Sequence, residues 1–508
     1  MASFILSHDV GTTGDKATLF SEEGRLVASE FASYPTNYPK SGWAEQNAND
    51  YWEAFCRSTH DLLAKTQHNP RDIAVVAFSG QMMGALPVDS KGDPLRRMII
   101  WADQRSTAEA AEIEKVVPAD EVYRITGHRL SASYSATKIM WIRRNEPELF
   151  KRAAKFIHAK DFLALKLTGR VVSDYSDASS MNLLDLSRME WSPEMLAASG
   201  ISRDLLPELC ESTEVVGTIR PEAAQESGLL SGTPVVIGGG DGACATCGSG
   251  VVKEGDAYLC LGTSSWIATV SSRPLIDPAK RTFTFALFRK GLYMPTGTMQ
   301  TGGGSLRWFR DVLGEAESAV ARESATDVYE ILNRMAAEAA PGSEGLLFLP
   351  YLMGERSPQW NPKARGCYIG LSMIHSKSHL VRAIMEGVAY NMKIVADTFA
   401  GLGLDFSLIR AIGGGAKSSI WLSIFADVLE RPMATLNFVD EATSIGAAIA
   451  GGVGAGIFSS IEEAARIVRV ERRIEPDPSH FPAYRKGFPI FGRSYDQLVP
   501  IFDMLAAE

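Results

Sequence analysis

Apolar residues along the chain fall into short runs bounded by turn residues, then into helix-spaced patterns, and this order occurs twice. The first half opens with runs at 4 to 9, 15 to 20 and about 25 to 33, separated by residues such as Glu23-Gly24, which predict three strands. Between 50 and 66 the apolar positions Trp52, Phe55, Cys56, Thr59, Leu62 and Leu63 recur at the spacing of one helix face. Ile73-Ala74-Val75-Val76-Ala77-Phe78 then reads as a buried strand. The order restarts near 256, with strands predicted at 256 to 261, 265 to 271, 282 to 288 and 292 to 296, a helix from about 304, and the run Leu346-Leu347-Phe348-Leu349. A long helix near 378 to 400, the strand Ile409-Arg410-Ala411-Ile412, and helices at about 418 to 430, 443 to 455 and 494 to 507 complete it. The repeat is one of pattern, since the halves share almost no residue identity.

Three antiparallel strands, a helix and a parallel strand are the opening of a ribonuclease H-like, actin-like α/β domain. The expected fold is therefore two such domains, 1–250 and 251–508, with an active-site cleft between them. A chain of 508 residues exceeds what one hydrophobic core spans, which agrees with two domains. No low-complexity linker marks the boundary, so its placement rests on the repeat.

Each half begins with a strand, a tight turn and a second strand. The turns are Asp9-Val10-Gly11-Thr12-Thr13-Gly14-Asp15-Lys16 and Leu261-Gly262-Thr263-Ser264-Ser265. Glycine lets the backbone turn sharply and lets a phosphate approach, while successive N–H groups and threonine hydroxyls donate to its oxygens. Either turn alone is equally an ordinary hairpin, but the pair, one on each half, would hold a polyphosphate between them.

Three further junctions could carry chemistry. Ile237-Gly238-Gly239-Gly240-Asp241-Gly242-Ala243 ends an apolar strand and opens a small-residue helix. A carboxylate at that place can be a simple helix cap. At the junction of the halves, Asp241 can also orient an acceptor hydroxyl and take its proton. Ala411-Ile412-Gly413-Gly414-Gly415-Ala416-Lys417-Ser418-Ser419 lacks the spacing of a Walker loop or a dinucleotide fingerprint, yet its glycines can admit a flat base or a phosphate. Ser79-Gly80-Gln81-Met82-Met83-Gly84 and Ile100-Trp101-Ala102-Asp103-Gln104-Arg105 follow strands of the first half, at the sheet edge where open α/β sheets bind ligands. Gln81, Trp101, Asp103 and Arg105 supply the polar and stacking groups a sugar needs.

Composition narrows the partners. A net charge of −9 without Lys/Arg runs argues against nucleic acid or an anionic membrane. The start has no basic n-region, so no signal peptide is expected, and no apolar stretch is long enough to span a bilayer. Six cysteines are too sparse for a disulfide scaffold and point to a reducing, cytoplasmic compartment. Cys244 and Cys247 form a lone C-x-x-C, read as buried helix residues rather than a zinc or redox pair. The sequence leaves a homodimer open.

Taken together, these segments resemble the FGGY carbohydrate kinases, and most closely the xylulokinase-like branch, nearly end to end. The resemblance is carried by Asp9-x-Gly-Thr-Thr, Gly80-Gln-Met, Trp101-x-Asp-x-Arg105, Leu167-Thr-Gly169 with Asp174-Tyr-Ser-Asp-Ala-Ser179, and Gly240-Asp-Gly242. Gly262-Thr-Ser264, Phe348-Leu-Pro-Tyr-Leu-Met-Gly-Glu-Arg-Ser-Pro358, Arg365-Gly366, Arg382-Ala-Ile-Met-Glu-Gly387 and Gly413-Gly-Gly-Ala-Lys-Ser418 continue it. It implies two actin-like domains closing over ATP, Mg²⁺ and a small sugar or polyol. It further implies Asp241 as catalytic base, Asp9 as holder of hydrated Mg²⁺, and Thr12, Thr13 and Lys16 facing the β- and γ-phosphates, with Thr263 meeting the γ-phosphate from the other side. Gly302, Gly303, Gly414, Gly415, Ala416 and Ser419 would line the nucleotide, and Gln81, Met82, Met83, Trp101, Asp103, Asp241 and Gly242 the acceptor. The implied reaction is ATP-dependent phosphorylation of a primary hydroxyl, with a ketopentose such as xylulose the nearest acceptor. The match departs from xylulokinases at Met83, Ala102 and Gly242, where that branch typically has His, Asn and Asn, so ribulose, erythritol, gluconate and glycerol stay as alternatives. A nucleotide-switched interaction protein of the same fold is the non-catalytic alternative.

Overall fold

The computed structural model describes residues 3–438 and 440–507. Its frame is two mixed sheets laid out in the repeated order. In the first, β1 (Phe4–Val10), β2 (Gly14–Ser21) and β3 (Leu26–Ser33) run antiparallel, α1 (Ala48–Thr66) crosses over, and β4 (Ile73–Gly80) returns parallel to β1. With β5 (Val215–Thr218) and β6 (Pro234–Gly240) the sheet order is β5-β6-β4-β1-β2-β3. The second sheet comprises β7 (Ala257–Leu261), β8 (Ser265–Thr269), β9 (Phe283–Ala286), β10 (Tyr293–Met299), β11 (Ile409–Ile412), β12 (Met433–Leu436) and β13 (Val470–Ile474), in the order β9-β10-β8-β7-β11-β12-β13. In both, the opening strand lies at the centre, between its hairpin partner and a parallel strand. The ends of β1 and β7 thus emerge at the carboxyl edge of a sheet, where backbone groups are free for ligands.

Both faces of the first sheet are covered, so its central strands read as continuous apolar runs, with Ile5, Leu6, Val75, Val76, Ala77 and Phe78 all buried. One face packs on α1 through Tyr51, Phe55 and Leu62. A helix from the far half, α4 (Ala442–Gly454), covers the other face together with α3 (Asp241–Gly248). The sequence pattern assigns α4 to the second copy; the structure lays it across β1, β4 and β6 of the first. This close approach needs glycine: a Cβ on Gly446 would stand 2.0 Å from the Cys244 carbonyl oxygen, and one on Gly248 1.8 Å from that of Ala442. Cys244 and Cys247 are buried in α3, as their reading predicts.

Two elements differ from expectation. The terminal helix α5 spans Phe481–Leu505, beginning well before residue 494. Pro489 and Pro500 lie inside it about three turns apart, both on the solvent face, where the carbonyls they release can meet water, while Tyr484, Phe491, Tyr495 and Phe502 form the buried stripe. Those prolines conceal the helix from a pattern reading. Leu347–Leu349 is a strand, but pairs only with Cys367–Ile369 outside the main sheet.

Candidate active site

The first loop closes tightly, with Gly11 N–H donating to Gly14 O at 3.0 Å. β-ladder register sets Asp9 opposite Lys16 and beside Ser79. Ser79 Oγ donates to Asp9 Oδ1 at 2.7 Å, and Thr443 Oγ1, from the start of α4, donates to Oδ2 at 2.6 Å. Burial nevertheless holds the Asp9 carboxyl above its ordinary value. Lys16 pairs with Glu441, one residue before α4. Segment 441–443 therefore meets both charged residues of the loop. Thr12 Oγ1 accepts from Trp101 Nε1 at 2.9 Å, and Thr13 lies exposed at the tip.

Asp241 stands at the first position of α3, where among the described residues its side chain makes one bond, accepting Gly242 N–H on Oδ1 at 2.7 Å. Burial, and after it the charge of Asp9, push its carboxyl up to about 7. A carboxylate tuned to that range is matched to proton abstraction near neutral pH. Met82 packs against this corner, since a Cβ on Gly240 would lie 2.7 Å from its side chain and one on Gly242 3.8 Å. Met83 follows with φ at 64°, its N–H donating to Ser180 Oγ at 3.1 Å and its carbonyl accepting from Lys138 Nζ at 2.7 Å. Met82, Met83, Met294, Trp266, Phe283, Phe285 and Trp360 share one apolar cluster.

Two expected acceptor ligands also make bonds within the protein, and Gln81 Oε1 has no hydrogen-bond partner among the described residues. Gln81 is buried, and its Nε2 donates to Gly11 O at 3.2 Å and to Gln46 Oε1 at 2.8 Å, bracing the first loop from beneath. Asp103 is fully buried and takes a fork of bonds from Arg105 at 2.7 to 3.0 Å plus Ala44 N–H at 2.6 Å. Arg105 in turn stacks 3.7 Å above the Trp43 ring. Trp101 itself is exposed beside Thr12.

The second loop is braced by the glycines that follow β10. Gly303 N–H donates to Gly262 O at 2.7 Å, and Gly302 and Gly304 N–H donate to Thr263 O at 2.9 and 3.0 Å. A Cβ on Gly302 would lie 1.9 Å from Ser265 Oγ, so only glycine fits. Thr263 Oγ1 accepts from the exposed Arg307 at 2.7 Å. Of the third junction, Gly414 is open, with no atom within 4 Å of a Cβ built there. Gly415 is half-buried, the Ala416 side chain is buried so that only its backbone is on offer, and Ser419 is exposed and accepts from Arg472 at 3.0 Å.

Residues 4–248 match the N-terminal domain of the FGGY family of carbohydrate kinases, and residues 257–455 match its C-terminal domain. The chain belongs to this family. As an FGGY carbohydrate kinase it is a phosphotransferase, and ATP is the phosphoryl donor the family implies. It is 35% identical to the gluconokinase of Bacillus subtilis (strain 168) over 97% of this chain and 95% of that one. It is 33% identical to the xylulose kinase of Escherichia coli (strain K12) over 97% and 99%. The crystal structure of gluconate kinase from Lactobacillus acidophilus superposes with a TM-score of 0.92, at 27% identity and full coverage of both chains. Among the described residues no helix of this FGGY kinase is long and apolar enough to cross a membrane.

Five polar residues bonded to or packed near the expected site segments escape a sequence reading. Glu441 and Thr443 pair with residues near the opposite end of the chain, and Arg307 and Lys138 bond backbone-distant partners, so no local spacing betrays them. Arg356 sits inside a quoted motif, but its surroundings emerge only in three dimensions. It lies 6.0 Å from the Phe283 ring and contributes, after burial, to holding His128 down at about 3.

Proposed function

We propose that this FGGY kinase transfers the γ-phosphoryl group of ATP to a primary hydroxyl of a small open-chain sugar derivative, with Asp241 as the base. The observation that carries the reading is Asp241 itself, a carboxylate at a strand end with one local bond, tuned by burial to about 7 and walled by Met82. The acceptor hydroxyl loses its proton to Asp241 as its oxygen attacks the γ-phosphorus, and ADP leaves. Thr12, Thr13 and Lys16 hold the phosphates from one side and Thr263 from the other, with Arg307 adding positive charge there. Gly302, Gly303, Gly414, Gly415, the Ala416 backbone and Ser419 line the nucleotide. Trp101, Met82, Met83 and Gly242 line the acceptor, while Gln81 and Asp103 brace it from behind.

Mg²⁺ with its hydrating waters would be held by Asp9, whose buried carboxyl Ser79 and Thr443 fix in place. When bound, it neutralises charge on the phosphate oxygens. Residues 1–250 and 251–508 act as the two lobes, and the reducing cytoplasm suits an ATP-using enzyme whose six cysteines are free.

An aldonate is the favoured acceptor, over the ketopentose that the sequence suggests. Among the described residues neither Arg356 nor Arg129 has a carboxylate partner; Arg129 bonds Lys280 O at 3.0 Å and lies 5.0 Å from the Trp360 ring. Two partly buried guanidinium groups without an ion-pair partner among the described residues, around the Phe283–Trp360 cluster, suit an acceptor that brings its own carboxylate. The test is ADP release with gluconate, xylulose, ribulose, erythritol and glycerol. Gluconate should give the highest kcat/KM, and Arg356→Leu should raise its KM about tenfold or more, the loss of one charge-assisted pair, while barely changing values for neutral acceptors. A preference for xylulose that Arg356→Leu leaves intact would restore the ketopentose reading. No stimulation by any acceptor would favour a nucleotide-switched interaction protein.

A further inference from the structure

Behind the Gly240–Asp241 strand end lies a buried set of charges that the reaction as drawn does not use. Lys160, fully buried, places Nζ 2.7 Å from Asp161, 2.9 Å from Asp174 and 3.2 Å from Asp177. His158 Nδ1 lies 2.6 Å from the other oxygen of Asp177, and its Nε2 lies 3.0 Å from Ser135 Oγ. His158, Asp161 and Asp177 are close enough together to bind a metal, but the Lys160 ammonium already rests on both carboxylates. Ions buried this deeply persist only when fully paired, so the cluster is a rigid anchor.

What it anchors is one short helix, α2 (Tyr175–Ser179), flanked by Asp174 and carrying Asp177. Three serines in this segment each receive a backbone N–H from a different segment of the fold. Ser176 Oγ donates to Asp174 and accepts Gly240 N–H at 2.9 Å, next to the base. Ser180 Oγ donates to Asp177 O at 2.6 Å and accepts Met83 N–H at 3.1 Å. Ser179 Oγ donates to Ser176 O at 2.7 Å and accepts Ala286 N–H at 3.2 Å, from β9 of the other sheet. Met83 is held at a positive φ that a non-glycine residue adopts only where neighbours fix it. Ser180 and Lys138 do so.

We propose that α2, clamped through Lys160, is a positioning strut that sets the catalytic base and the Met83 wall in one frame and ties that frame to the opposite sheet. The role rests on the kinase reading of the cleft. A purely structural helix would affect all kinetic constants alike, whereas a strut with two separate loads predicts a split between its ends.

Two variants test it. Ser176→Ala should lower kcat about tenfold, the equivalent of one lost buried hydrogen bond, with KM for ATP and acceptor changed less than about twofold. Ser180→Ala should raise the acceptor KM several-fold and largely keep kcat. Ser176→Thr, which retains the hydroxyl, should recover most of the lost rate. Independently of activity, deuterium uptake should rise at the peptide containing Gly240 in Ser176→Ala, and at that containing Met83 in Ser180→Ala. Unchanged uptake at both peptides, or parallel changes of kcat and KM in both variants, would overturn the strut. A wild type that phosphorylates no acceptor would overturn the kinase reading instead, and the exchange data would still decide whether α2 holds the two walls.

Discussion

Asp241→Asn should lower activity and raise stability, and both effects follow from one number. Burial and the Asp9 charge move the Asp241 carboxyl from 3.8 to about 7. Only the ionised form accepts a proton, so wild-type kcat/KM should climb tenfold per pH unit below about 6.5 and level off above about 7.5. The Asn variant should lose about 10² to 10⁴ in kcat together with that inflection. Stability runs the other way. Between the two pKa values the native state binds more protons than the unfolded chain, so stability falls as pH rises through that window. The full displacement corresponds to about 4 kcal/mol. Asp241 retains partial exposure to the cleft, and screening there leaves about 1 to 2 kcal/mol. At about pH 8 the Asn variant should therefore melt roughly 1 to 4 °C above wild type, and near pH 3.5 the two should coincide. Transfer of label from γ-labelled ATP across pH measures the first effect, and calorimetry at two pH values measures the second. A flat pH profile, a near-normal kcat in the variant, or an Asn variant less stable at high pH would refute the base assignment and return Asp241 to a helix-end residue.

Met83→His should raise kcat/KM for a ketopentose about tenfold if Met83 faces the acceptor as proposed, because it would supply a donor to a hydroxyl that a thioether cannot bond, and histidine tolerates the positive φ of this position; steady-state kinetics on xylulose showing no gain would count against Met83 facing the acceptor. Arg307→Ala should reduce kcat more than ATP affinity, since the guanidinium on Thr263 lies where transferred charge is expected to accumulate; an unchanged kcat would make Arg307 a loop brace. Gly446→Ala should destabilise the protein by about 1 to 3 kcal/mol or more, because its methyl would meet Cys244 O at 2.0 Å, and should alter the compaction that scattering detects on adding acceptor with a non-hydrolysable ATP analogue; wild-type melting would show that α3 and α4 separate freely.

What the sequence discloses is what short-range chemistry determines. Both Gly-Thr turns, the Gly240-Asp241 junction and the central strands are legible because a turn or a buried strand imposes its residue types within a few positions. Gln81 and Asp103 are legible as polar strand-end groups for the same reason, but not in what they bond. A polar group at a strand end has the same sequence context whether it faces a ligand or braces a loop, and only the bonds to Gly11 O and Arg105 distinguish the two. Glu441, Thr443 and Arg307 stay hidden because their partners are distant in sequence. The terminal helix is obscured because Pro489 and Pro500 are tolerated on a solvent-facing side that the pattern cannot see.

The seating of α4 on the first sheet has a consequence for anyone dividing this chain. A fragment ending near residue 250 would carry every strand of its own sheet, yet leave Ile5, Val75, Ala77 and Val236 bare where α4 belongs. An exposed apolar face of that kind promotes aggregation. Fragments cut there should stay dispersed only when both are present, the later one lending its helix to the earlier. A cut placed after residue 454 would instead keep the helix that covers the first sheet and all of the proposed catalytic groups on one piece.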